Sequence, residues 1–111
     1  MVSATPHRDE VWLVDLDPTA GAEMRKTRPC LVVSPDEMNR HLRTVIVAPM
    51  TTVVRPYPTR IAVRFQGEHG QVALDQLRAV DRQRLATKLG KISPAIADAV
   101  AETLLEMFRR E

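Results

Sequence analysis

Thr44-Val45-Ile46-Val47-Ala48-Pro49-Met50 is the stretch that decides the fold of this chain. An unbroken apolar run of this length, rich in β-branched residues, fits a strand covered on both faces at the centre of a sheet. A strand covered on one face alternates instead, and Thr59 to Phe65 does so. Ile61, Val63 and Phe65 share one side; Arg60, Ala62 and Arg64 share the other. Upstream, Val11-Trp12-Leu13-Val14-Asp15-Leu16 reads as a strand closed by Asp17-Pro18, and Arg28-Pro29 opens another that runs to Val33. Between them, Thr19 to Thr27 has Gly21, Glu23, Arg25 and Lys26 but no apolar period, as an exposed loop does. Ser34-Pro35-Asp36 starts one or two helical turns across Glu37 to Leu42. Beyond the alternating strand, Val72 to Val80 gives one or two strands interrupted by Asp75-Gln76.

The last segment changes period. Ser93 supplies an N-cap and Pro94 a first helical residue, after which Ile96, Val100, Leu104, Met107 and Phe108 recur at helical spacing. This predicts an amphipathic helix lying across a strongly bent sheet, its stripe serving as core or as a dimer interface. Five or more short strands followed by one long helix make a compact, barrel-like α+β domain. With 111 residues, the chain is expected to form one domain, residues 1–7 being a loose leader.

Composition narrows the function classes. Apolar residues make up 44% and charged residues 27%, the balance of a globular protein rather than a disordered one. The net charge of +2 permits an anionic partner without demanding one. Cys30 is the one cysteine, so an intrachain disulfide is excluded, and its place in an apolar run suits a buried small hydrophobe. No run of about 18 apolar residues and no charged-then-apolar leader is visible, so the expected location is the reducing cytoplasm, with no membrane partner. His7, His41 and His69 are scattered, none at metal-ligand spacing from another donor. No metal or other cofactor is expected.

Four segments, in order, carry a resemblance. They are Glu10-Val11-Trp12-Leu13-Val14-Asp15-Leu16-Asp17-Pro18; Gly21-Ala22-Glu23-Met24-Arg25-Lys26-Thr27-Arg28-Pro29-Cys30-Leu31-Val32-Val33-Ser34; Val45-Ile46-Val47-Ala48-Pro49-Met50-Thr51-Thr52; and Leu74-Asp75-Gln76-Leu77-Arg78-Ala79-Val80-Asp81. Together they resemble the MazF/PemK toxins over nearly the whole chain. The family opens its first strand with Arg-Gly-Asp, whereas this chain reads Arg8-Asp9-Glu10, so the backbone turn at Asp9 is where it departs.

The resemblance implies a fold of the SH3-like, MazF/CcdB type: a small, strongly bent, barrel-like antiparallel sheet with a long C-terminal helix. It also implies a homodimeric toxin of a type II toxin–antitoxin system. Such a toxin cuts single-stranded RNA without a metal and is held by an antitoxin with a disordered acidic segment. Arg28 and Thr51 match the arginine and threonine on which the family's cleavage depends, and Glu23 matches a loop carboxylate suggested as acid or base. Without that match, Arg28 reads as a loop arginine, Thr51 as a strand-end cap and Glu23 as an exposed charge.

Arg25, Lys26, Arg55, Arg78 and Arg82 are candidates for holding the RNA backbone, since phosphate contacts add affinity without reading sequence. Tyr57, between Pro56 and Pro58, is the candidate for stacking on a base, whereas Trp12 belongs to the core or a dimer seam. Gln76 shapes the RNA groove or places a bulge. Asn39 supports the site or caps a turn. The alternative function is a non-catalytic, CcdB-like gyrase poison. That activity resides in a Trp-Gly-Ile tail, and this chain instead finishes Met107-Phe108-Arg109-Arg110-Glu111.

Overall fold

The structure, a computed structural model, describes residues 5–16 and 27–111. The apolar runs form the middle of its sheet: β1 (Glu10–Asp15), β2 (Thr27–Val32) and, after helix α1 (Asp36–His41), β3 (Thr44–Thr51). The alternating segment is β4 (Arg60–Phe65), followed by β5 (Glu68–Ala73), β6 (Arg78–Asp81) and β7 (Leu85–Lys91). Helix α2 (Pro94–Phe108) closes the chain. Among the described residues the seven strands join in one sheet ordered β4-β5-β3-β2-β1-β7, with β6 also on β3, and every pairing is antiparallel.

β3 is the hub. One of its edges meets β2, with Cys30 opposite Pro49 and Val32 opposite Val47. Its other edge is divided: β6 pairs along Thr44 to Val47, and β5 takes over at Met50 and Thr51. The handover falls at Ala48-Pro49, where the proline has no N–H to give a ladder. A 3-10 turn, Leu74–Gln76, links β5 to β6 across that split.

Double-sided burial explains the continuous runs. Val11, Leu31 and Ala48 join Val63, Val72, Leu74 and Val100 of α2 in one cluster, while Trp12, Val14, Cys30, Val32, Val45 and Val47 form a second. The Ser93 hydroxyl caps α2 by accepting from the Ile96 N–H at 3.3 Å. Ile96, Val100, Leu104 and Met107 turn to the core, but Phe108, at the end of the stripe, is 67% exposed. No helix among the described residues is long and apolar enough to cross a membrane.

The structure departs from the sequence reading at three places. β7 lacks a clear apolar signature because it is a half-exposed edge strand whose pairing with β1 is broken by two register shifts. β5 begins at polar Glu68 rather than Val72, since the two-residue turn Gln66-Gly67, with φ of 52° and 82°, starts a tight hairpin with β4. The third concerns the chain start: Thr5 to His7 are held, not loose. Pro6 is buried, its carbonyl accepts from Asn39 Nδ2 at 3.1 Å, and the Thr5 hydroxyl accepts from Arg82 Nη2 at 3.2 Å.

The turn at Asp9 survives the loss of glycine. Asp9 takes a φ of 77°, and its N–H donates to Val32 O at 2.9 Å while its carbonyl accepts from Ile92 N at 3.0 Å. Beside it, the buried Glu10 carboxylate accepts from His7 N and Trp12 Nε1, both at 2.9 Å, and pairs with Lys88 at 3.0 Å. Burial alone would raise its pKa; these donors reverse the sign and hold it below the usual range.

Candidate nucleic-acid interface

The split in β3 opens a cleft of about 990 Å³, and six of the sequence candidates line it. Arg28 comes from β2, Thr51 from the end of β3, Arg55 and Tyr57 from the link to β4, Gln76 from the 3-10 turn and Arg78 from β6. The β2–β3 register explains the central pair. Cys30 lies opposite Pro49, so two residues further along, on the same faces, Arg28 comes level with Thr51.

Among the described residues, the guanidinium groups of Arg28 and Arg78 have no hydrogen-bond or ion-pair partner. The Thr51 hydroxyl oxygen accepts from Val53 N at 3.0 Å, which occupies a lone pair and leaves the O–H proton for an incoming acceptor. Arg28, Thr51 and Val53 also border a second cleft, of about 520 Å³, that reaches His69 and Gln71. The pair therefore sits on a saddle, open to a chain on both sides.

The cleft is strongly cationic. Among the described residues, four arginines line it against one carboxylate, Asp75, which is itself neutralised. Arg60 grips Asp75 with two prongs, Nε to Oδ1 at 2.8 Å and Nη2 to Oδ2 at 3.2 Å, and the Thr59 hydroxyl donates to Oδ1 at 2.9 Å. The Arg60 bonds, aided by Thr59 and working against burial, bring the Asp75 pKa down to about 2. The Tyr57 ring lies over Arg60, 5.1 Å from guanidinium carbon to ring centroid, and remains 47% exposed. A side chain read from alternation as merely outward-facing, Arg60, is thus part of the cleft wall. The polar pair Asp75-Gln76 interrupting an apolar segment was the available signal.

The remaining candidates lie elsewhere. Glu23, Arg25 and Lys26 fall outside the described residues. Asn39 is fully buried away from the cleft: its Oδ1 accepts from the Ser34 hydroxyl at 2.6 Å, and its Nδ2 donates to the carbonyls of Pro6 and Ser34, both at 3.1 Å. Arg82 donates to Asn39 O, Leu42 O and the Thr5 hydroxyl, at 3.2 to 3.4 Å. Asn39, with no exposed surface, is a correction to the expected RNA contacts, whereas the Arg82 guanidinium is turned to main-chain groups and a hydroxyl of the fold and is not among the residues lining the cleft. Burial pushes the Cys30 thiol up to about 12, which suits a core residue and not a nucleophile. His7 and His41 pair with Asp36 and Glu37, and among the described residues no three His, Cys, Asp or Glu side chains gather as metal ligands do.

The chain that carries this saddle has recognisable relatives. Endoribonuclease EndoA of Bacillus subtilis is 35% identical over 103 residues, covering 87% of this chain and 89% of its own length. Endoribonuclease toxin MazF of Escherichia coli is 36% identical over 87 residues, 78% of each chain. An endoribonuclease from a mycobacterial species, solved in complex with its cognate antitoxin, superposes with a TM-score of 0.80 at 26% identity, covering 96% of this chain and 99% of that one. The family described as PemK-like, MazF-like toxin of type II toxin–antitoxin systems matches residues 7–108, and the chain belongs to that family.

Proposed function

We propose that this protein is a toxin that cuts single-stranded RNA at the Arg28–Thr51 saddle by a metal-independent transesterification. The observation that carries the reading is the pair itself. A permanently charged fork, without a partner among the described residues, stands beside a hydroxyl whose oxygen is fixed by Val53 N–H and whose proton has no acceptor among them.

RNA brings its own nucleophile. With the ribose 2′-OH in line, its oxygen bonds to phosphorus while the P–O5′ bond breaks, giving 2′,3′-cyclic phosphate and 5′-OH ends. The 2′ proton passes to a base and the leaving 5′ oxygen gains one. Holding the attacking group in place removes much of the barrier, since the attack is intramolecular. Arg28 and Thr51 would neutralise and grip the phosphoryl oxygens as charge builds on them. A guanidinium holds its proton too tightly to serve as a base, and the family resemblance gives the proton transfers to Glu23.

Arg55 and Arg78 would hold neighbouring phosphates, Tyr57 would stack on a base, and Gln76 would line the groove; Arg25 and Lys26 would add further phosphate contacts. The working unit is a homodimer in the cytoplasm. An antitoxin with a disordered acidic segment would fold onto the same arginines and displace RNA.

The test is direct. Purified protein in EDTA should cut mixed-sequence single-stranded RNA, and a 2′-deoxy substitution at the cut site should stop it. Arg28→Ala and Thr51→Val should each lower the rate about 100- to 1000-fold while remaining folded. RNA left whole in EDTA but cut with a divalent ion, or a 2′-deoxy site cut normally, would sink the mechanism.

A further inference from the structure

We infer that Gln71 is a positioning residue for RNA binding: its carboxamide fixes the segment after β3 so that Arg55 faces the phosphate path. The inference rests on reading the cleft as an RNA site. Gln71 is a polar side chain at 8% exposure, followed in β5 by buried Val72 and Ala73. Its Oε1 accepts from Arg55 N at 3.0 Å and its Nε2 donates to Arg55 O at 3.1 Å. One side chain thus supplies both bonds that a paired strand residue would have given.

The place of this grip matters. Gln71 is the register partner of Thr51, the last residue of β3. Beyond it the chain leaves the ladder, and Val53 and Val54 are 52% and 65% exposed, so apolar burial does not hold the segment. The Val53 N–H bond to Thr51 and the Gln71 grip on Arg55 are what direct it. Gly70 permits the arrangement, because a Cβ there would stand 2.5 Å from the Thr51 carbonyl oxygen. An amide buried in this way adds little net stability, since folding only exchanges its bonds with water for bonds with protein. Its two-point geometry sets direction.

The experiment compares wild type, Gln71→Leu, Arg55→Ala and the double variant, measuring Kd on single-stranded RNA blocked by a 2′-deoxy group at the cut site and KM and kcat on the same RNA unblocked. Gln71→Leu should weaken binding about tenfold, with KM following Kd and kcat falling less. Its slope of log affinity against log salt should become shallower by about 0.7, the share of one phosphate contact on a single strand. Adding Gln71→Leu to Arg55→Ala should change little further, as expected of two residues acting through one contact. If the leucine variant does not fold, Gln71→Glu replaces it: it keeps the acceptor for Arg55 N and loses the donor, and should show the same pattern in smaller measure. Unchanged affinity and slope, or full additivity with Arg55→Ala, overturns this inference alone. A wild-type protein that neither binds nor cuts RNA overturns the RNA reading and this inference with it.

Discussion

Replacing Asn39 by alanine distinguishes an RNA contact from a structural pin. In the native fold three groups bond to the side chain, the Ser34 hydroxyl, the Ser34 carbonyl and the Pro6 carbonyl, and the Ser34 hydroxyl oxygen in turn accepts from Ile46 N at 3.0 Å. Alanine orphans two carbonyls and one hydroxyl proton in a region where Asn39 is 0% and Ser34 2% exposed. Each buried orphan costs about 1–3 kcal/mol. The Ser34 hydroxyl can turn and water can enter the vacated space, so the sum should settle at about 3–5 kcal/mol. That is a large part of the roughly 5–15 kcal/mol that holds a domain together. With a urea slope of about 1–3 kcal/mol per molar, the unfolding midpoint should drop by about 2 M. Trp12, the one tryptophan and buried, reports the transition by fluorescence. Cleavage per folded molecule, measured without urea, should stay near wild type. An unshifted midpoint together with lost cleavage would refute the reasoning, because that is how an RNA contact behaves.

Asp9→Gly should stabilise the protein by about 0.5–1 kcal/mol, because φ at 77° carries a side-chain penalty that glycine avoids. Burial holds the Asp9 carboxyl above its usual range despite Arg8, so its ionisation works against the fold above the folded pKa and not below the unfolded one. The gain in Tm should therefore be larger at pH 7 than at pH 3; a gain that grows toward acid would contradict this. For Asp75, held at about 2 against an ordinary 3.8, the sign is opposite: stability is present above the unfolded value and is lost as the pH falls from about 4 toward 2. Asp75→Asn should remove that part of the acid transition, and an acid-unfolding curve identical to wild type would count against the Arg60 pairing. Gly70→Ala should lower both stability, by about 1–3 kcal/mol, and cleavage, since a Cβ 2.5 Å from the Thr51 carbonyl must push β5 from β3. Full activity in that variant would show that Thr51 tolerates displacement.

How far the sequence could be read follows from what each residue answers to. The runs in β1, β2 and β3 were legible because burial on both faces leaves no polar position to break the pattern. Helix α2 announced itself through the Ser93 cap, Pro94 and an apolar stripe, all local features. β7 did not, because an edge strand exists through its partner β1 and asks little of its own side chains. The same division runs through the site. Arg28 and Thr51 carried no local sign of meeting; the β2–β3 register makes them neighbours. Asn39, Gln71 and Arg82 are polar residues whose roles depend on main-chain groups distant in sequence, those of Pro6, Arg55 and Leu42 among them. No periodicity could reveal which carbonyl or N–H would lack a partner at the end of an element. Hydrogen-bond saturation sorts them once the fold is known. Side chains bonded through both ends of the amide, as in Asn39 and Gln71, hold the frame, whereas Arg28, Arg78 and the Thr51 proton have no partner among the described residues. These groups are not buried, so water satisfies them in the free protein, and an anion with matching acceptors would take the place of that water.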